Sequence, residues 1–210
     1  MADRYTEEKT RGHGGCGFVL TLLLVVVLIG GLLLFTTNVL DGYKTRIYRF
    51  FYPQKYVEQV TACAAEFHVD DALIYAVIRT ESGFREEVES HAGAIGLMQL
   101  MPSTFEGLQT VRYGEVTMTA DMLFDPDINI EYGTYLLSTL LAHYDGNIAT
   151  AAAAYNAGMT NVDSWLSDPS CSSDGITLTS VPYEETERYI ERIEKAYEMY
   201  EALYSADTES

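Results

Sequence analysis

The sequence predicts a mainly α-helical protein, with one helical domain behind a single N-terminal transmembrane helix. Three observations carry this. An uncharged apolar run extends from Phe18 to Phe35; beyond Pro53, apolar residues recur at three- and four-residue spacing; and no alternating strand pattern or internal repeat interrupts them. The 210 residues leave room for one membrane segment and one domain of about 150 residues with a real core.

The elements follow in chain order. Residues 1–17 are polar and mixed in charge, a short N-terminus whose cytoplasmic placement rests on function rather than on charge. Residues 18–35 are almost all Leu, Val, Ile and Gly. As a helix they would cover about 27 Å, close to a bilayer core of about 30 Å. A cleaved signal peptide is the competing reading, but its apolar region would be shorter and no A-x-A site follows Phe35. Basic residues flank the run on both sides, Arg4, Lys9 and Arg11 before it and Lys44, Arg46, Arg49 and Lys55 after it, so charge does not fix its orientation. Residues 36–52 read as a juxtamembrane linker or helix. Residues 53–205 form the helical domain, and 206–210 a tail.

Within the domain, Tyr56, Val57, Val60, Ala64 and Phe67 share a helical stripe, and Asp70 or Asp71 caps a second helix through Leu73, Ile74, Val77 and Ile78. Asp125-Pro126 opens a third, with Tyr132, Tyr135, Leu136, Leu140 and Tyr144 on one stripe. Asn147 starts an alanine-rich helix, Ile148 to Tyr155, suited to close packing. A loop rich in Ser, Asp and Pro spans about 167–182. The last helix runs from Glu184 to about Tyr204, with Tyr189, Ile193, Ala196, Tyr197 and Tyr200 facing inward.

Composition narrows the function. A formal net charge of −18 argues against nucleic acid and against docking on anionic lipid. Such acidity serves solubility, and suits a neutral or cationic substrate better than a polyanion. The three cysteines form no metal clip or redox pair; Cys63 and Cys171 could pair in an oxidising compartment, or be two inert thiols. His13, His68, His91 and His143 make no metal pattern, so no metal and no cofactor is expected.

Chemistry is expected between the second and third helices. Glu81 ends an apolar helix, facing the negative pole of the helix dipole and apolar neighbours. Both effects disfavour ionisation and raise the pKa, which suits a general acid. A plain surface helix end is the alternative that these residues leave open. The segment Ser90-His91-Ala92-Gly93-Ala94-Ile95-Gly96-Leu97-Met98-Gln99-Leu100-Met101-Pro102 departs from helical logic, and its paired glycines suggest close backbone approach.

Glu81-Ser82, Gly96-Leu97-Met98-Gln99-x-Met101-Pro102, Ala154-Tyr155-Asn156-Ala157-Gly158 and Pro182-Tyr183-x-Glu185-Thr186 occur in order. Over about residues 55–200 the chain thereby resembles the soluble-lytic-transglycosylase catalytic domain, of lysozyme-like fold. With the anchor expected at 18–35, the resemblance implies an enzyme facing the bacterial wall outside the cytoplasmic membrane, with peptidoglycan glycan strands as its partner. It implies Glu81 as acid and then base in cleaving the bond between N-acetylmuramic acid and N-acetylglucosamine, leaving a 1,6-anhydro end. It also implies substrate contacts at Ser90, Gln99, Met101, Tyr155, Asn156 and Glu185, with the Tyr155 hydroxyl near the catalytic carboxylate. Glu86, Glu87 and Glu89 read instead as a solvated turn. A hydrolytic goose-type muramidase and a non-catalytic wall-binding protein are the alternatives. Two departures touch local contacts: Glu187 stands where the family often has Arg, and Arg85-Glu86-Glu87-Val88 where it tends to have Asn-Pro.

Overall fold

The computed structural model describes residues 14–205, except the side chains at 14–22, 25, 33, 34, 36–39 and 41. The chain divides into two units, Met1–Phe50 and Phe51–Ser210. The first is built on helix α1 (Gly14–Phe51), 38 residues long. The stretch 36–52, open as linker or helix from sequence, is therefore helical to Phe51. Leu23, Leu24, Val26, Val27, Leu28, Ile29, Leu32 and Phe35 are all exposed. Among the described residues no helix is long and apolar enough to cross a membrane. The expected anchor at 18–35 falls partly outside those residues, as does most of 1–17 and all of 206–210.

The second unit is wound around α3 (Asp71–Glu81), whose residues from Ala72 to Ile78 are all buried. A helix apolar on every face must be surrounded, and α3 is. It packs chiefly against α8 (Glu184–Tyr204), which in turn packs on α6 (Ile148–Ala157). Around this centre, α2 (Val57–Phe67) lies on α5 (Pro126–His143), and α5 on α6. The buried stripe of α8 is Tyr189, Ile193, Ala196, Tyr200 and Leu203 at three- and four-residue spacing; Tyr197, expected inward, is half-buried. Each large apolar side chain so buried contributes about 1.5–3 kcal/mol.

The caps explain the boundaries. Asp70, rather than Asp71, caps α3: its side chain accepts from the Ala72 amide at 2.9 Å. Asp125 does the same for α5 through the Asp127 amide, and Asn147 for α6 through the Thr150 amide. Two helices depart from expectation. The segment after Gln99 contains α4 (Pro102–Tyr113), and α7 (Met159–Leu166) follows Gly158. Proline at the start of α4 and left-handed Gly114 at its end are ordinary helix punctuation. Only Phe105, Leu108 and Gln109 are buried on it, so its apolar period is faint. Helix α7 has eight residues and buries just Val162 and Trp165, too little to register as a stripe. A 3-10 turn over Ala120–Phe124 completes the unit.

Cys63 and Cys171 are free, buried thiols in separate apolar clusters. Burial, reinforced by the Glu131 charge, pushes the Cys63 thiol up to about 11, which suppresses the reactive thiolate. Both thiols are expected to resist alkylation in the native protein and to react only after denaturation, as mass spectrometry of iodoacetamide-treated protein would read.

Candidate active site

Glu81 is the last residue of α3, and its position is set by the apolar helix before it and the sharp reversal after it. Gly83 and Phe84 both adopt left-handed backbone, with φ of 60° and 65°. The Ser82 hydroxyl holds the reversal by donating to the Ile78 carbonyl and accepting from the Phe84 amide, each at 3.1 Å. Ser82 is thus occupied with backbone and presents no nucleophile.

The Glu81 carboxyl is pushed up to about 7. Burial is the dominant cause. It is opposed by a hydrogen bond that the Tyr189 hydroxyl donates to Glu81 Oε1 at 2.6 Å, and by the charge of Arg192. No other carboxylate is among the groups that shift Glu81. The predicted direction of shift therefore holds, with desolvation as its principal cause. A carboxyl half-protonated near neutrality can donate a proton and take it back.

Tyr189 is the site residue that the sequence reading placed only in the core. It is 2% exposed and lies on the inward stripe of α8, with the Arg192 guanidinium 5.8 Å from its ring centre. A buried tyrosine needs a partner for its hydroxyl, and here the partner is Glu81. Tyr155 is the second tyrosine of the cluster. The Glu81 charge acts on it, and burial with that charge pushes its phenol well above the ordinary range. Its hydroxyl, however, donates to the Met98 carbonyl at 2.8 Å, so it also ties α6 to the glycine-rich segment.

That segment is held by one buried residue. Asn129, on α5, is fully buried and accepts from the Met98 amide at 2.7 Å. Its side-chain amide donates to the Ile95 carbonyl at 2.9 Å and the Leu123 carbonyl at 2.8 Å. Gly96 lies against it with φ +80°, and a Cβ there would overlap the Asn129 amide and the Leu123 carbonyl. The expected close approach is thus to Asn129 and its neighbours. On α5, Gly133 likewise leaves room for the Met98 side chain.

The remaining candidates are spread along this frame. Ser90 closes a tight turn, its hydroxyl accepting from the Ala94 amide at 2.9 Å. Gln99 has left-handed backbone, and its amide donates to the carbonyls of Val88 (3.0 Å) and Gly96 (2.9 Å). Both hydrogens are thereby committed to the loop, leaving the side-chain oxygen to receive a ligand donor. Met101 is 38% exposed at the start of α4. Asn156 is exposed and accepts from the buried Thr186 hydroxyl at 2.8 Å, joining α6 to the first turn of α8. Glu185 is exposed on that turn, four residues before Tyr189 and so on its side of the helix. Of the glutamates read as a solvated turn, Glu86 is half-buried and accepts from the Tyr56 hydroxyl at 2.7 Å.

The domain is mainly α-helical and carries a buried, strongly raised carboxyl, Glu81, at the C-terminal end of its central helix. Comparison with known proteins agrees. The family described as "Transglycosylase SLT domain" matches residues 58–174, and the chain belongs to that family. It is 32% identical over 142 residues to the soluble lytic murein transglycosylase of Escherichia coli (strain K12), covering 66% of this chain and 22% of that protein. It is also 32% identical over 169 residues to the membrane-bound lytic murein transglycosylase C of Cronobacter sakazakii, covering 70% of this chain and 46% of that one. An X-ray structure of an inactive mutant of the lytic transglycosylase Slt from Pseudomonas aeruginosa superposes with a TM-score of 0.64 at 29% identity, over 74% of this chain and 25% of that chain. The chain thus spans less than half the length of these relatives.

The Tyr189 bond has a measurable consequence. Because it stabilises the carboxylate, Tyr189→Phe is expected to raise the Glu81 pKa further. NMR titration of the Glu81 carboxyl in both proteins checks the sign; a lower value in the variant would contradict it.

Proposed function

We propose that this chain is a membrane-anchored lytic transglycosylase of peptidoglycan, with Glu81 as general acid and then base. The observation that carries the reading is Glu81 itself: partly buried, held near 7 and bonded to Tyr189, with no carboxylate among the groups that shift it. Two-carboxylate glycosidases place the second group about 5–5.5 Å away as nucleophile, or about 6.5–9.5 Å away as base. Here the substrate supplies the nucleophile. Glu81 gives its proton to the glycosidic oxygen as the bond from the muramic anomeric carbon breaks. The muramic C6 oxygen bonds to that carbon, and its hydroxyl proton passes to the Glu81 carboxylate. Protons balance, no water is added, and the enzyme returns to its starting state. Tyr189 stabilises the carboxylate formed midway.

On their motifs, Ser90, Gln99, Met101, Tyr155, Asn156 and Glu185 are assigned to the glycan; of these, Tyr155 feels the Glu81 charge. The exposed apolar face of α1 and the uncharged run 18–35 support anchoring. Peptidoglycan lies outside the cytoplasmic membrane, so the domain is assigned there, as a single-pass protein. The relative whose name includes "membrane-bound" accords with this arrangement.

Incubating the full chain in mild detergent with purified peptidoglycan tests the reading. Soluble fragments should appear without a matching gain in reducing ends. A one-for-one gain would make the protein a hydrolytic muramidase, and bound glycan with no fragments a wall-binding protein. Resistance of the membrane-bound full chain to alkaline carbonate extraction is expected; release would remove the anchor.

A further inference from the structure

A cleft of about 660 Å³ opens between α2, α3 and the C-terminal half of α8, away from Glu81. Asp71 at its edge opens α3 and Glu81 closes the same helix, which at 1.5 Å per residue is about 16 Å long. Its acidic residues are Asp70, Asp71 and Glu201, and among the described residues no Lys, Arg or His lines it. Asp70 is partly engaged, capping α3 and accepting from the Tyr197 hydroxyl at 3.2 Å. Asp71 is half-buried, and burial together with the neighbouring Asp70 charge raises its carboxyl above the ordinary range.

The tyrosines beside these carboxylates differ in one respect. Tyr75 stacks on Tyr200 (5.3 Å between centres), and Tyr200 on Tyr204 (6.0 Å). The Tyr200 hydroxyl donates to the Pro53 carbonyl at 3.0 Å, and that of Tyr204 to the Tyr52 carbonyl at 2.8 Å. Tyr75 is 1% exposed, lines the cleft, and has no hydrogen-bond partner for its hydroxyl among the described residues. Its hydroxyl is not sealed off with the rest of the ring, so the phenol opens into the cleft. An unpartnered hydroxyl opening beside carboxylates that hydrogen-bond only to backbone, to each other and to Tyr197 is the arrangement that a cationic donor completes: a charge-assisted bond to Asp71, and a polar contact for Tyr75.

We propose that this cleft is a binding site for the free side-chain ammonium of a peptidoglycan stem peptide, with Asp71 as counter-ion, Tyr75 as polar partner and the apolar wall at Val57 against the aliphatic chain. The ligand class, a short peptide bearing a primary aliphatic amine, follows from the carboxylates, the lack of basic lining and a volume larger than one side chain needs. The peptide assignment rests on the wall substrate proposed above; the cationic character of the site does not.

The full chain in detergent micelles is titrated calorimetrically with L-Ala-γ-D-Glu-L-Lys and with the same peptide acetylated on the lysine side chain. Saturable binding is expected, weakened at least tenfold by acetylation and by Asp71→Asn, and several-fold by Tyr75→Phe. Glu81→Gln should bind as the native protein does. No binding, equal affinity for both peptides, or indifference to Asp71→Asn overturns the site. Equal affinity for L-Ala-L-Ala-L-Lys overturns the stem-peptide assignment in favour of basic protein segments. Wall cleavage is assayed on the same samples: cleavage without peptide binding defeats this inference alone, and peptide binding without cleavage defeats the proposed activity alone.

Discussion

Glu81→Gln is expected to lower kcat/KM on peptidoglycan by at least about 10³-fold while making the protein more stable above neutral pH. The loss follows from the two proton transfers assigned to this carboxyl, since general acid–base catalysis contributes roughly 10²–10⁴-fold. Glutamine keeps the shape and still accepts from Tyr189, but it has no proton to give and none to recover. The gain in stability follows from linkage. The Glu81 carboxyl is raised from 4.5 to about 7 in the folded protein, so folding favours its protonated form. Its contribution is fully present below the unfolded value and is lost as pH rises through about 7. Above that pH the native protein carries a buried carboxylate at a cost of order 3 kcal/mol, which the amide avoids. Urea unfolding at pH 5 and pH 8.5 separates the two effects: similar midpoints at pH 5, and a higher midpoint for the variant at pH 8.5. The native activity should likewise decline as pH rises through about 7.

The second large effect is expected at Asn129. Asn129→Ala strands two buried polar groups, the Met98 amide and the Leu123 carbonyl, formerly paired at 2.7 and 2.8 Å, while the Ile95 carbonyl keeps its bond from the Leu100 amide. An unmet buried group costs about 1–3 kcal/mol, so a loss of about 2–6 kcal/mol is expected. That is a large share of the 5–15 kcal/mol typical of a whole domain. Gly96→Ala should act at the same place by a different route, combining a left-handed backbone with overlap on the Asn129 amide and the Leu123 carbonyl. Thermal unfolding of both variants checks this, and the effects should be less than additive because they break one joint. Both should also depress activity, because the segment they release carries Gln99 and Met101.

How far the sequence reveals this arrangement depends on the kind of interaction. Helices α5 and α8 declare themselves by apolar stripes at helical spacing, α3 and α6 by unbroken apolar or alanine runs, and Asp70, Asp125-Pro126 and Asn147 mark where α3, α5 and α6 begin. Glu81 is legible for the same reason, standing where an apolar helix stops. Helices α4 and α7 are not, since one carries Gly107, Gln109 and Thr110 in its middle and the other is two turns long. Tyr189 looks like core from sequence and is core; its hydroxyl bond to Glu81 depends on how α3 and α8 pack, across 108 positions of chain. Asn129 is the harder case. A polar residue within an amphipathic helix ordinarily faces water, and only three backbone groups, two from the distant 95–98 segment and one at Leu123, make burial favourable. Gln99 shows a finer limit: its motif marks it for the glycan, yet both amide hydrogens serve the loop that presents it.

Digestion of peptidoglycan by the full chain in H2(18)O, followed by mass spectrometry of the released muropeptides, tests the central claim most directly. Attack by the muramic C6 hydroxyl predicts anhydro-ended products that carry no heavy oxygen and are absent with Glu81→Gln. Reducing-ended products carrying one (18)O per cleavage would show that water is the nucleophile and would contradict the account.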